Sequence, residues 1–339
     1  MAEPHHFTIL MAYSPDYSLG QLCSRVNAAY ARRHGYGFVC ETIGTAELEE
    51  GRTAHWHKVR MLRAHMGALL AHRRAMLLVS PNHALADVAE DCGGGGGGGG
   101  GSAASRQLDA VLGCPSRAPP PPLPSGLDAR STFLVWIDAD AVVVRHDLGL
   151  SQLLGLLPQA GAAKQLICGE DLSTACRLNT GVLLCRVSGW SERLWADVWS
   201  ADSSRRYHAR LFHEQAALEK QLEARGEGIG AGAPFHSYAR GGPAEPKLFP
   251  HTCVLPRRML NSNCDAEAAL CFHAVGLGNK LAALRSAVAR AGLGGLVDGV
   301  GELQGELSWV RPAAARKQVI MAQGLAPHTQ QVTYVDVDN

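Results

Sequence analysis

Charge is scarce in this sequence. Only 19% of its 339 residues are Asp, Glu, Lys or Arg, and the formal net charge is +1. That balance gives no general attraction to nucleic acid or to an anionic membrane surface. Long apolar runs are missing as well. No window reads as a membrane span, and the opening MAEPHHFTIL has neither the basic region nor the apolar stretch of a signal peptide. On this reading the chain is either cytosolic or lacks an N-terminal targeting segment. Its cysteines form no CxxC pair and no Cys/His spacing of a zinc site. Most of them, such as Cys40, Cys168 and Cys185, stand inside apolar runs, as buried free thiols do. An oxidised pair among Cys253, Cys264 and Cys271 has no pattern behind it. No internal repeat is visible. With 46% hydrophobic residues, what remains is the composition of a globular protein with a real core.

Strands and helices alternate. FTILMAY (7–13) and FVCETI (38–43) read as strands. Between them Leu19, Leu22, Val26 and Ala29 share one helical face, and Gly35 makes a natural C-terminal stop. A second helix over 56–74 carries Val59, Leu62, Met66 and Leu69 in register. Residues 92–131 then break the pattern with nine consecutive glycines (Gly93–Gly101) and a proline run (Pro119–Pro122), as a disordered surface insertion would. Further strands are expected at 133–137, 181–187 and within 248–255, and helices at 190–199 and 212–224. This order predicts an α/β fold with a mostly parallel sheet. One domain is expected over 1–285, interrupted by the insertion. Residues 286–339 would form an extension of unknown role.

The stretch that carries chemistry is FLVWIDADAVVVRHD (133–147). A continuous apolar run ends on Asp138 and Asp140, and acids are almost never buried unpaired. Open α/β sheets bind ligands at the carboxyl ends of their strands. Residues i and i+2 of an extended segment project to one side, so the two carboxylates can share a divalent cation. Three readings fit the triplet. The aspartates can merely cap a turn. They can belong to a phosphatase of the haloacid dehalogenase type, with Asp138 as nucleophile and Asp140 as acid/base, although no later GDxxxD-like cluster completes a magnesium site. Or they can hold the cation of a glycosyltransferase.

The company of the triplet favours the last. HWHKVRMLRAHM (55–66), RLNTGVLLCRVSGWSERLWADVW (177–199), HEQAALEKQL (213–222) and CFHAVGLGNK (271–280) surround it in order. Together these resemble the retaining GT-A family of fungal galactosyl- and mannosyltransferases and plant xyloglucan xylosyltransferases, over about residues 7 to 281 apart from the insertion. The resemblance implies a GT-A type α/β/α sandwich and a nucleotide-diphosphate sugar donor with a glycan acceptor. It further implies transfer of a hexose or pentose with retention, a manganese or other divalent cation, and work in the Golgi behind a membrane anchor that this chain does not display.

Residue by residue, it implies that Asp138, Asp140 and His273 hold the metal. Asp138, Lys58, Arg63, Asn179, Gly181, Gly276 and Lys280 would bind the donor. Glu214 and Gln215 would stand beside the anomeric carbon and the acceptor. Two departures stand out: Lys280 sits two places later than the family's usual lysine, and Glu214 replaces the more usual Asp. Glu170 and Asp171 form a further acidic pair, either reaching the acceptor or simply solvated. A catalytically silent protein on the same fold, binding a donor without turning it over, fits the same residues.

Overall fold

The computed structural model describes residues 5–44, 51–79, 120–171, 176–229, 245–263 and 269–297, together with two short strands at 319–321 and 332–334. Strands β1 (Phe7–Tyr13), β2 (Gly37–Thr42), β3 (Phe133–Ile137), β5 (Leu166–Glu170), β6 (Leu178–Arg186), β7 (Lys247–Leu248) and β8 (Thr252–Leu255) build one seven-stranded sheet in the order β2-β1-β3-β6-β5-β8-β7. β1, β2, β3, β5 and β8 run in one direction, while β6 and β7 oppose them. The sheet is mixed and mostly parallel. A second sheet joins β4 (Ala141–Val143), β10 (Cys271–His273) and β9 (Asn261–Ser262).

Helices cover both faces of the large sheet. On one side α1 (Ser18–His34) packs Leu22, Val26 and Tyr30 against Ile9, Met11, Val135 and Leu184. On the other, α2 (His57–Val79), α3 (Gly189–Ser200) and α4 (His213–Ala224) bring Val59, Leu62, Trp195 and Leu218 against Leu10, Leu134, Trp136 and Leu183. β3 therefore sends alternate side chains into two cores. This is why its sequence is apolar throughout rather than alternating, and the outcome is an α/β/α sandwich.

Two boundaries move. Residues 120–131, expected inside the insertion, include the buried Leu127 and Ser131, and the Ser131 hydroxyl lies 2.6 Å from Thr8 Oγ1. The rest of that stretch, 92–119, lies outside the described residues. The expected domain end at 285 falls inside a helix that sequence patterning did not mark, α5 (Lys280–Arg290), whose Ala287 and Val288 are buried in the α1-side core. Cys253 and Cys271 are buried free thiols, and Cys264 is outside the described residues.

Candidate active site

The site lies where the two sheets meet. β3 ends at Ile137, residues 138–140 turn, and β4 begins the second sheet. β10 runs antiparallel beside β4 with His273 opposite Ala141, and the Ala274 N–H bonds to the Asp140 carbonyl at 2.9 Å. This pairing delivers a histidine from 133 residues downstream onto the aspartate turn. His273 Nε2 lies 3.2 Å from Asp140 Oδ1 and 3.9 Å from Asp138 Oδ2. One ligand atom from each of the three residues lies within 4.8 Å of the others, with Asp140 and His273 buried and Asp138 partly so.

Lysines balance the two carboxylates. Lys280, at the start of α5, donates to Asp140 Oδ2 at 2.5 Å. Burial alone would raise the Asp140 pKa, but His273 and Lys280 outweigh it and hold the carboxyl far below the usual range. Lys58, almost fully buried near the start of α2, reaches Asp138 Oδ1 at 3.1 Å and Glu214 Oε1 at 2.9 Å. Burial alone would lower its pKa, yet the two acids hold it above the ordinary lysine value. The Trp136 indole N–H donates to Asp138 Oδ1 at 2.6 Å, which fixes that carboxylate from within its own strand.

The Asn179–Thr180–Gly181 segment near the start of β6 is the hub. Between Cys168 and Gly169 the β5–β6 register shifts, and Thr180–Val182 bulge from β6. The Thr180 N–H donates to Gln215 Oε1 at 3.0 Å, and its hydroxyl lies 3.0 Å from Glu214 Oε1. Gln215 Nε2 donates to Asp171 Oδ2 at 3.1 Å, as Asn179 Nδ2 does at 3.0 Å. Both ends of the Gln215 amide are thus engaged by the chain itself, and the side chain ties α4 to β6. Leu211, four residues before Gln215, is 41% exposed and precedes the helix.

Gly181 makes room for the histidine. A Cβ there would lie 2.2 Å from His273 Cε1 and 2.5 Å from Nδ1, so the absent side chain is the space the imidazole occupies. Such a slot for a ring between two carboxylates is what a cation site of one imidazole and carboxylate oxygens requires, and that donor set suits manganese or a similar divalent ion. Gly276 stands in open space. Nothing lies within 4 Å of its Cβ position, and its φ of +73° is what calls for glycine in the turn after β10. Arg63 lies with its guanidinium 5.3 Å from the Trp199 ring centroid, a stacking contact between α2 and α3.

Two participants, Tyr17 and Asn261, went unread in the sequence. Tyr17, after β1, is near enough to both aspartates that burial, aided by Asp140 and Asp138, pushes its phenol far up. Asn261, on β9, donates from Nδ2 to Asn179 Oδ1 at 2.7 Å and lies 3.2 Å from His273 Nδ1. Glu170 lines a small polar cavity with Asn179, Asn261, Ser262, Asn263 and His273, and pairs with Lys247 at 3.3 Å. An asparagine on a two-residue strand has no periodic signal, so only spatial proximity reveals it. Among the described residues, no helix is long and apolar enough to cross a membrane.

No protein-family model and no curated protein matches the chain. Solved structures of similar shape include a glycosyltransferase involved in the glycosylation of the major capsid of PBCV-1. It is 14% identical with a TM-score of 0.42, over 84% of this chain and 99% of that one. The galactosyltransferase LgtC in complex with donor and acceptor sugar analogs gives 11% and 0.37, over 84% and 95%. The WbbM bifunctional glycosyltransferase gives 10% and 0.32, over 81% and 47%. Likeness at this level is distant, and function has to be argued from the site.

Proposed function

We propose that this chain is a metal-dependent GT-A type glycosyltransferase that moves a hexose or pentose from a nucleotide-diphosphate sugar to a glycan hydroxyl, with retention. The observation that carries the reading is the convergence of Asp138, Asp140 and His273 at the carboxyl end of β3. Two lysines stand beside it. Asp138, Asp140 and His273 hold the divalent cation. When bound, it offsets the charge that develops on a departing diphosphate.

Lys280 is in reach to share that anionic load once the metal takes Asp140, and Tyr17 borders the same side. Lys58, at the start of α2, keeps Asp138 and Glu214 together beside Thr180 of β6, where this reading places the sugar. Gln215, whose amide already serves Thr180, Asp171 and Cys176, acts by holding these groups in place beside the reacting sugar. Retention, the pentose or hexose class, manganese as the metal and a Golgi location rest on the family resemblance and belong to the proposal.

The test is a screen of nucleotide-sugars with and without manganese, reading donor hydrolysis and thermal stabilisation, with the product anomer read by NMR. Metal-dependent turnover with retained configuration is expected. Donor binding without turnover would identify a silent binding protein. Phosphomonoester turnover without nucleotide-sugar binding would overturn the proposal in favour of the phosphatase. The phosphatase reading leaves His273 without a task, although its Nε2 is 3.2 Å from Asp140 Oδ1.

A further inference from the structure

The back of the His273 ring is as carefully enclosed as its front. Nε2 faces the aspartates, while Nδ1 faces the Asn261 side-chain amide at 3.2 Å. Two glycines on neighbouring strands make the room. The ring occupies the space a side chain on Gly181 would fill. On β5, a Cβ on Gly169 would come within 2.7 Å of Asn261 Oδ1. Glycine in a strand interior weakens the strand by leaving nothing to pack. At both positions the sheet accepts that loss, and the same pair of polar side chains enters.

The amide is also held from its far side. The Gly181 N–H donates to Asn179 Oδ1 at 2.9 Å, and the Asp171 carboxylate takes the Asn179 amide hydrogen. These two partners orient Asn179 unambiguously, because one can only donate and the other is an acceptor. Asn179 Oδ1 in turn receives Asn261 Nδ2 at 2.7 Å. A line of hydrogen bonds therefore runs from Asp171 through Asn179 and Asn261 to the ring. Asn261 Oδ1, buried over Gly169, has no hydrogen-bond partner among the described residues. A buried carbonyl left so is destabilising, and a side chain retained at that cost is one whose position matters. As placed, Nδ2 donates to Asn179 Oδ1 and faces a bare Nδ1, the tautomer with its proton on Nε2; a ring that ligates through Nε2 carries the proton on Nδ1 and bonds to Asn261 only once the amide turns its Oδ1 to the ring.

We propose that Asn261 is a positioning residue of the cation site, keeping the His273 imidazole turned so that Nε2 points between Asp138 and Asp140. The inference rests on the reading that these three residues bind a divalent metal. Partners behind a metal-bound histidine are typically worth about 10- to 100-fold in metal affinity.

The experiment is a titration of the full chain with Mn2+ alone, free ion being counted by electron paramagnetic resonance, on wild type, Asn261→Ala, His273→Ala and the double variant. Asn261→Ala should weaken Mn2+ binding by about tenfold or more. In the His273→Ala background the same change should alter it by less than about twofold, since no ring is left to position. Gly169→Ala provides a second route should Asn261→Ala fold poorly. It keeps the asparagine but pushes it off its seat, and should weaken Mn2+ binding in the same direction. Unchanged Mn2+ affinity in Asn261→Ala and Gly169→Ala, or an equal loss with and without His273, would overturn the inference. Wild-type protein that takes up no Mn2+ would overturn the metal site itself, and the inference with it, and that outcome is distinct from the others.

Discussion

Gly181→Ala is the sharpest single perturbation this site allows. The new methyl would lie 2.2 Å from His273 Cε1, 2.5 Å from Nδ1 and 2.9 Å from Asn179 Oδ1. Ordinary contact begins at about 3.4 Å, so ring and methyl must part by about 1.2 Å. The backbone of β6 is poorly placed to yield. The Gly181 carbonyl accepts from the Asp138 N–H at 2.8 Å, and its neighbour Val182 pairs with Ile137. The His273 backbone is paired to β4. The movement therefore falls on the imidazole, which swings away from the aspartates.

Overpacking of this kind costs about 1–3 kcal/mol. In a chain of this size that lowers the melting temperature by roughly 2–4 °C per kcal/mol. A misplacement of about 1 Å can cost about 100-fold in rate. Scanning fluorimetry, Mn2+ titration and donor turnover should thus show a modest stability loss with a severe loss of metal binding and activity. Adding His273→Ala removes the ring that the methyl strikes, so the double variant should recover the melting temperature without recovering metal affinity. Gly181→Ala protein with wild-type Mn2+ affinity and turnover would refute the reasoning, as would a double variant melting lower still.

The salt bridge from Lys280 to Asp140 competes with a cation for the same carboxylate. Lys280→Met should therefore tighten binding of Mn2+ alone by roughly two- to fivefold, the range of a partly exposed ion pair, while weakening metal-dependent donor binding. Calorimetry that finds both affinities moving in one direction would refute that competition. Lys58→Met leaves Asp138 and Glu214 facing each other without their shared ammonium, and breaking a buried pair costs about 3–5 kcal/mol. A melting temperature within a degree or so of wild type would show that the pair contributes little.

Glu219 gives a pH test away from the aspartates. Burial raises its pKa above the ordinary 4.5 despite bonds from the Leu178 and Arg177 N–H groups. A carboxyl that binds its proton more tightly when folded makes the native state lose stability as pH rises from 4.5 to its higher native value. Glu219→Gln cannot titrate, so its stability advantage over wild type should grow across that window and level off above it. Parallel melting curves for the two proteins between about pH 4 and about pH 7.5 would refute the shift.

Local patterning by itself determined much of this protein. The apolar run into Asp138 and Asp140 located both the strand and its functional end. Helical periodicity located α1 and α2, because burying one face imposes a spacing that survives without knowledge of neighbours. The order of short motifs, from Lys58 through Asn179 and Gly181 to His273, selected the chemistry to look for. Helix α5 escaped because its Ala-rich sequence carries few apolar anchors. Only tertiary structure decided how those parts meet. That Gly181 is empty for the sake of His273, that the Gln215 amide is held by Thr180 and Asp171, that Arg63 stacks on Trp199, and that Asn261 stands behind the ring all depend on strands paired across gaps in sequence. No local period encodes such pairings. A side chain's contacts across the sheet follow from register and twist, and these are set by the packing of the whole sandwich.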